Sequence, residues 1–310
     1  MKKINFSWFK PYRLKSITWS IVRALVILGV SFVILRPVLT KISSSLMIER
    51  DLFDSTVRWI PKHFTLDNYK AMFIHMKYPS AFLNSTIFSL VIAGLQLASC
   101  TMVGYGLARF KFRGSGLLFG MVILTLLIPP QIISLPLYLN FRFFTLWGLL
   151  PKPGINLLGS YWPFILMALT ATGLKNGLFI YIMRQTFRGM PKALEEAAYV
   201  DGAGRFRTFL TIMAPGAIPS MITCFLFAFV WQWNDYYFVT LYMSGRSLLS
   251  QTLDVAAHNY AHSLGMQFTT QYISLLNNAG MMLFILPLLV LYGVLQRYFI
   301  ESIERTGIVG

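Results

Sequence analysis

The sequence predicts an all-α integral membrane protein with six transmembrane helices, from its composition and from the grouping of its apolar residues. Of the 310 residues, 56% are hydrophobic and only 12% are charged, about half the charged fraction of a typical soluble domain. Four long stretches contain no charged residue: 85–108, 114–140, 208–234 and 263–296. A helix needs about 20 apolar residues to cross a bilayer, so each stretch is long enough for a span.

The spans form one predicted membrane domain, residues 17–300, between tails of residues 1–16 and 301–310. The first span follows a basic segment, as in a signal peptide, but its apolar run is too long and no cleavage site of small residues follows. We therefore interpret it as an uncleaved span. The six predicted spans are Ile17–Leu39, Ser80–Ala108, Gly116–Asn140, Ser160–Met183, Met213–Val239 and Ala279–Leu295.

Proline is frequent within these spans. Its missing backbone N–H breaks or kinks a helix, and a membrane tolerates this where neighbouring helices or a water-filled cavity satisfy the freed backbone groups. We therefore expect kinked or broken helices. The prolines concerned are Pro129, Pro130, Pro136, Pro215, Pro219 and Pro287.

Lysine and arginine residues are distributed unevenly between the predicted loops. With a cytoplasmic N-terminus, 15 of them lie in inside segments and nine in outside loops. Because cytoplasmic loops carry the excess of positive charge, we predict a multi-pass protein of the cell membrane with both termini in the cytoplasm. The net charge of +16 is spread over short loops between apolar stretches, which argues against a nucleic-acid partner. We expect membrane lipid to surround the apolar stretches.

Two further groups of residues favour structural roles. Cys100 and Cys224 lie inside apolar stretches and are interpreted as small buried apolar residues rather than a disulfide pair. Asp254, His258 and His262 are spaced four apart and share a helical face, but this pattern lacks the glutamate of the metalloprotease motif. We interpret it as a polar external face and expect no metal.

Lys175 is a substrate-pathway candidate because it lies within a predicted span. If the fourth span enters from the outside near Ser160, a rise of 1.5 Å per residue places Lys175 about 22 Å deep, where an ammonium faces a cavity or a partner. Alternatively, Gly173 and Gly177 loosen the span, and a freed carbonyl or a carboxylate satisfies Lys175. Asp235 is not expected to be that partner, because the fifth span carries it towards the external face.

The end of the fifth span combines flat rings with hydrogen-bonding groups, a mixture that suits sugars. Tryptophan and tyrosine also collect at membrane interfaces for their own reasons, and we favour that interpretation without excluding the first. The residues concerned are Trp231, Trp233, Asn234, Tyr236 and Tyr237.

The segment between the fourth and fifth spans, about residues 184–212, predicts two short helices around a turn. Pro191 suits a first helical position, Lys192–Val200 consists mostly of helix-forming residues, and Gly202 supplies a break that accepts a left-handed conformation. The second helix is expected over Arg205–Met213. The first would form a knob of about 15 Å.

This knob carries two carboxylates beside two small residues, at Glu195, Glu196, Ala197 and Ala198. Small residues allow a partner backbone to approach closely, and exposed carboxylates pair with arginine. A solvated surface loop is the alternative, since surface charges are common and their pairs are weak.

The loop closely resembles the EAA signature of importer-type ABC permeases, with Glu196-Ala197-Ala198, three further residues, Gly202, Ile212 and Pro215. With Pro191, Glu195 and Asp201-Gly202-Ala203 it is similar to the carbohydrate-uptake branch. Further matches are Phe64-Thr65-Leu66, Tyr105 to Arg109, Trp233-Asn234-Asp235-Tyr236 and Gln296-Arg297-Tyr298-Phe299. One departure is Met213-Ala214 before Pro215, where the family usually has leucine.

The resemblance implies a permease that forms half of the path for a sugar or oligosaccharide in a prokaryotic cell membrane. Its partners would be a second, homologous permease, two ATP-binding subunits and an extracellular solute-binding protein. The loop would be the coupling helix, acting through Glu195, Glu196, Ala197, Ala198, Asp201, Gly202 and Ala203. No G-x-x-x-x-G-K-[ST] phosphate loop occurs in the sequence, so ATP and Mg²⁺ would be bound by the partner. We expect no cofactor and no catalytic residue.

Three alternatives remain at this point. The solute of an ABC importer need not be a sugar. A transporter driven by an ion gradient predicts paired intramembrane acids and inverted repeats, but the predicted spans contain almost no acids and no repeat is visible. A membrane enzyme predicts titratable groups clustered at one depth, whereas the histidines fall in external segments, at His63, His75, His258 and His262.

Overall fold

The computed structural model describes residues 11–307 except 55, 58 and 147, and their side chains from residue 18 to 296. The described chain consists of helices and loops, with two isolated β-bridges, as the predicted all-α class requires. A π-helix covers Phe209–Met213. The α-helices are α1 (Pro11–Ser45), α2 (Glu49–Phe53), α3 (Asp67–His75), α4 (Tyr78–Arg109), α5 (Ser115–Leu127), α6 (Ser134–Arg142), α7 (Trp162–Leu169), α8 (Asn176–Gly189), α9 (Ala193–Val200), α10 (Arg205–Thr208), α11 (Ala214–Gly216), α12 (Ile218–Trp233), α13 (Tyr237–Tyr242), α14 (Leu249–Ser263) and α15 (Thr270–Gly307).

Three helices in the described chain are long and apolar enough to cross a membrane: Thr18–Ser45 within α1, the whole of α4, and Thr270–Gln296 within α15. They correspond to the first, second and sixth predicted spans. A fourth candidate is the pair Arg205–Gly216 and Ile218–Trp233, which is bent by 78°. Of the predicted tails, residues 1–10 and 308–310 lie outside the described residues, and α15 continues to Gly307.

The other three predicted spans are interrupted rather than continuous. Between α5 and α6 lie Pro129 and Pro130, and between α7 and α8 lie residues 170–175. The fifth predicted span begins in the π-helix, and Pro219 lies in the first turn of α12, where a proline needs no hydrogen-bond acceptor. Proline therefore accounts for the first of these breaks, whereas the break before α8 needs another explanation.

The chain divides into two compact units, one comprising the chain up to Phe73 with Ala257–Leu283 and the other comprising Ile74–Ala256 with the chain from Phe284. In the first unit, polar side chains form hydrogen bonds that fix the loop after α1. Asn68 Nδ2 donates hydrogen bonds to the carbonyls of Ser45 and Met47 at 3.0 and 2.8 Å. Burial would raise the pKa of the Asp51 carboxyl, but hydrogen bonds from His63 hold that pKa below its usual value.

In the second unit, α4 is the central element and packs against α7, α8 and α12, while α5 packs against α8. The crossing of α4 and α8 is close at Gly104. A Cβ at this position would lie 2.7 Å from Met183 Cβ and 3.0 Å from the backbone nitrogen of Arg184. Only glycine fits there without moving α8.

Helices α8 and α12 run antiparallel. Near one end, the rings of Phe179 and Trp231 stack with centroids 5.6 Å apart, and near the other end Thr186 Oγ1 donates to Ser220 Oγ at 2.9 Å. The start of α8 therefore lies beside the end of α12. This arrangement places residues just before α8 close to residues just after α12.

We expect Gly104→Ala to lower the midpoint of thermal unfolding of the purified protein, because the added methyl group forces α4 and α8 apart. Overpacking of this kind costs about 1–3 kcal/mol, or several degrees for a chain of this size. Gly94→Ala is the matched control, since it lies exposed in the same helix with nothing within 4 Å of the added Cβ. Equal midpoints for the two variants would contradict the close crossing.

Candidate functional site

The loop between α8 and α12 forms the predicted pair of short helices around a turn. The turn is closed by hydrogen bonds from Asp201 N to Ala197 O at 3.0 Å and from Ala203 N to Ala198 O at 2.9 Å. Gly202 has a φ of +80°, which is the left-handed conformation that glycine adopts without strain. The second helix combines α10 with the π-helix that follows it, where a continuous helix was predicted.

The two neighbouring carboxylates of α9 have different environments, although the sequence predicted that both are exposed. Glu196 is exposed, but Glu195 is only 7% exposed. Tyr105 OH donates a hydrogen bond to Glu195 Oε1 at 2.7 Å, and Arg109 Nε lies 3.3 Å from Glu195 Oε2. The expectation of an exposed Glu195 is therefore wrong, because residues 195 and 196 are separated by about 100° around the helix.

The surface around Glu196 combines apolar and charged groups. Leu194, Val200 and Phe206 are exposed, with Val200 at 88%, and Ala197 and Asp201 are exposed beside them. A neighbouring cavity of about 550 Å³ is lined by Glu195, Glu196 and five cationic residues, namely Arg109, Lys111, Arg188, Lys192 and Arg205. Exposed apolar and charged side chains are therefore concentrated in the loop between α8 and α12.

The second candidate region lies at the break between α7 and α8. Carbonyls at the end of α7 accept backbone N–H groups of residues 171–173. Polar side chains add to these bonds: Ser99 Oγ donates to Ala168 O at 2.6 Å, and Asn176 Nδ2 donates to Met167 O at 3.3 Å. Gln96 Nε2 in turn donates to Asn176 Oδ1 at 2.9 Å. The sequence analysis missed these three residues, although Gln96 and Ser99 are polar positions in an apolar stretch.

Lys175 immediately precedes α8, and in the described chain its ammonium forms no hydrogen bond or ion pair. It lies 5.0 Å from the centroid of the Trp231 ring and lines a cavity of about 40 Å³ that Asp235 and Gln232 also line. Gln232 Nε2 is buried there without a hydrogen-bond partner. The cavity has room for a few water molecules, since one needs about 10–15 Å³.

Two expectations about Lys175 are corrected by this geometry. The depth of about 22 Å assumed a continuous helix from Ser160, but the break before α8 removes that regular rise. Asp235 was not expected to lie near Lys175, yet the two share a cavity. Because α8 and α12 are antiparallel, the residue before α8 and a residue just after α12 lie at the same end.

The other substrate-pathway candidates, which are aromatic residues and one asparagine, already form contacts within the chain. The Trp231 ring stacks with Phe179 and Phe227, and Trp233 is 3% exposed and donates to Phe284 O at 3.3 Å. At the end of α12, Asn234 Nδ2 donates to Val230 O at 2.8 Å, and Tyr236 OH donates to Asp254 Oδ2 at 2.9 Å. Asn234 and Tyr236 are exposed, so they remain accessible to a ligand, whereas Trp233 belongs to the core.

The remaining candidates are an acidic residue, two histidines and two cysteines. Asp254, His258 and His262 all lie on α14, and the described residues contain no group of three histidine, cysteine or acidic side chains placed to hold a metal ion. Cys100 and Cys224 are buried free thiols, which confirms their predicted burial.

Comparison with known proteins identifies relatives over most of the chain. Residues 100–305 match the family model "Binding-protein-dependent transport system inner membrane component". The chain is 29% identical over 284 residues to the arabinooligosaccharides transport system permease protein AraQ of Halalkalibacterium halodurans, covering 91% of this chain and 93% of that one. It is 32% identical to the osmoprotective compounds uptake permease protein GgtD of Synechocystis (89% and 88% covered), and 28% identical to the trehalose transport system permease protein SugB of Mycobacterium tuberculosis (94% and 97%).

A solved structure shares the fold. It is the crystal structure of a bacterial ABC transporter involved in the import of the acidic polysaccharide alginate, and one of its chains matches with a TM-score of 0.73 and 19% identity. The match covers 92% of this chain and 98% of that one.

Proposed function

The chain belongs to the family of inner membrane components of binding-protein-dependent transport systems, and from this we propose that it is the ABC importer permease forming half of a path for a sugar or oligosaccharide. The permeases for arabinooligosaccharides and for trehalose support this substrate class. The second half is a homologous permease subunit, and an extracellular binding protein delivers the solute.

The surface around Glu196 supports coupling to a separate ATPase. It presents an exposed carboxylate beside exposed Leu194, Val200 and Phe206, which suits a protein partner that supplies an arginine and an apolar cleft. In this proposal α9 is the coupling helix, and one of two ATPase subunits binds it. ATP and Mg²⁺ are bound by those subunits, and their closure displaces α9.

The proposed topology has six crossings with both termini in the cytoplasm of a prokaryotic cell. Three crossings are α1, α4 and α15, and the other three are the interrupted pairs α5–α6, α7–α8 and α12–α13. Backbone breaks at membrane depth are tolerated where they are buried in protein or line a cavity. The break before α8 meets this condition, since Lys175 and Asp235 line the cavity beside it.

We propose that this cavity belongs to the translocation path. Its volume of about 40 Å³ is far below the roughly 300 Å³ of a ligand pocket, so the path has to widen here for a sugar to pass. Because the cavity contains one ammonium and one carboxylate, it carries no net charge. It therefore suits hydroxyl groups rather than a strongly anionic solute.

Co-purification and uptake measurements test this function together. The chain should co-purify with the ATPase subunits, and proteoliposomes with the complete transporter should import labelled oligosaccharide only when ATP and binding protein are present. The osmoprotective solute named for one relative is the competing substrate class, so both solutes are offered. ATP-independent uptake driven by an ion gradient would favour a secondary transporter and contradict the proposal.

Charge reversal at Glu196 is expected to weaken the docking of the ATPase subunit. The Glu196→Lys variant should bind that subunit about tenfold less tightly, because a hydrogen bond between charged groups contributes about 1.5–3 kcal/mol. Titration of the purified subunits measures the affinity. Asp67→Lys, in the first unit, is the control for charge, since its carboxylate is also exposed. A Glu196→Lys complex with wild-type affinity and ATPase activity would make this carboxylate an ordinary surface charge.

A further inference from the structure

Helix α9 is attached to the rest of the second unit by a polar contact. It has eight residues, too few for a helix to be stable alone in water. Only Glu195 and Ala198 of α9 are buried. Because an alanine side chain contributes little apolar area, the contacts of Glu195 provide much of the side-chain attachment of this helix.

The end of α4 contacts both carboxylate oxygens of Glu195, one through a hydrogen bond and the other through an ion pair without a hydrogen bond. Tyr105 OH binds Oε1 at 2.7 Å, and Arg109 Nε lies 3.3 Å from Oε2. Arg109 Nη2 also donates to Met190 O at 2.8 Å, in the segment that joins α8 to α9. The side chains of Arg109 and Glu195 are 7% and 10% exposed, so water screens this ion pair little.

Tyr105 is fixed in its turn by aromatic packing. Its ring lies 5.6 Å from that of Phe110, 5.3 Å from that of Phe187 and 4.8 Å from that of Phe209. These rings come from the end of α4, from α8 and from the π-helix. Phe110 is exposed, but Tyr105, Phe187 and Phe209 are buried. The contact between Glu195 and α4 therefore adjoins buried rings, which distinguishes it from an exposed surface pair.

We propose that Glu195 is a positioning residue that fixes α9 to the end of α4, so that a displacement of α9 moves α4, while Glu196 remains available to the partner subunit. The inference rests on the proposed function, since the ATPase subunit supplies the displacement. Helix α4 also packs against α7, α8 and α12, and residues of α4, α7 and α12 line the Lys175 cavity. The two adjacent carboxylates have different roles in this proposal because Glu195 is buried and Glu196 is exposed.

The test uses the complete transporter in proteoliposomes and compares Glu195→Gln with Tyr105→Phe. The measured quantity is the number of ATP molecules hydrolysed per solute molecule imported. We expect this ratio to rise about tenfold in Glu195→Gln, which loses the charge that Arg109 needs, and about threefold in Tyr105→Phe, which loses one hydrogen bond. Hydrogen exchange of the amides of residues 193–200 should accelerate in the same order, because the attachment opens locally.

The Glu196→Gln variant provides the contrast. It should lower the affinity for the ATPase subunit while leaving exchange in α9 of the isolated chain at the wild-type rate. If Glu195→Gln prevents assembly, Tyr105→Phe still tests the inference, because this variant keeps the ion pair between Arg109 and Glu195. The inference would be overturned if Tyr105→Phe hydrolysed as much ATP per imported solute as the wild type and exchanged the amides of residues 193–200 at the wild-type rate. Where Glu195→Gln assembles, it would have to show the same two results. Failure of the wild-type chain to co-purify with an ATPase would instead contradict the proposed function.

Discussion

Lys175→Met is expected to remove uptake, and the additional substitution Asp235→Asn is expected to restore assembly of the transporter. Lys175 and Asp235 bring opposite charges to the same cavity, without a direct ion pair. Methionine preserves the length and the apolar stem of the lysine but leaves Asp235 as a lone charge. Removing one partner of a buried pair costs about 3–5 kcal/mol, and the cost here is smaller because both residues keep some solvent contact.

The structure makes the purely structural explanation of Lys175 unnecessary at the break before α8. The carbonyls of Ala168 and Met167 accept hydrogen bonds from backbone N–H groups of residues 171–173 and from the side chains of Ser99 and Asn176, so the Lys175 ammonium is not needed for them. Its neighbours are the Trp231 ring and the cavity with Asp235. These contacts support the proposed role of Lys175 in the translocation path, since other groups already satisfy the carbonyls at the break.

Three variants separate the possible roles of the pair. Thermal stability and recovery of the assembled complex report on structure, and uptake at equal expression reports on transport. If the pair lines the path, Lys175→Met/Asp235→Asn assembles at wild-type yield but imports sugar at least about tenfold more slowly, because the cavity has lost its hydroxyl-binding charges. Asp235→Asn alone leaves a net positive cavity and should shift preference towards acidic sugars. Unchanged uptake and stability in Lys175→Met would exclude both a transport role and a structural role.

The sequence predicted the helical class and the uninterrupted helices well, because long charge-free stretches have few other physical explanations. It also predicted the helix–turn–helix loop, since Pro191 and Gly202 indicate local backbone conformations. The break before α8 was only partly predictable: Gly173 and Gly177 suggested it, but Ser99 and Asn176, which satisfy its carbonyls, come from two different helices.

Burial and charge pairing depended on tertiary packing and could not be derived from local sequence. The identical side chains of Glu195 and Glu196 have opposite burial because only one faces Tyr105. Asp235 lines the same cavity as Lys175. The reason is that α8 and α12 are antiparallel, which brings the start of α8 beside the end of α12. The sequence analysis predicted the depth of both residues by counting residues along continuous spans. This method fails wherever a helix is interrupted.

Gly202→Val is expected to reduce uptake at least about tenfold while leaving insertion into the membrane intact. The φ of +80° at Gly202 costs an L-amino acid about 1–2 kcal/mol, and a β-branched side chain is a strong outlier in this region. Nothing lies within 4 Å of an added Cβ, so the penalty comes from the backbone and falls on the turn between α9 and α10. A misdirected α9 no longer presents Glu196 to the ATPase subunit.

Two matched variants isolate the backbone effect. Gly204→Val adds the same side chain two residues later, where φ is −70° and the added Cβ also meets no atom within 4 Å, and it should import sugar at the wild-type rate. Gly202→Asn should keep much of the activity, because asparagine tolerates the left-handed conformation. Uptake and surface expression are measured in parallel for all three. Wild-type uptake by Gly202→Val at equal expression, or an equal loss in Gly204→Val, would show that the conformation of this turn does not control coupling.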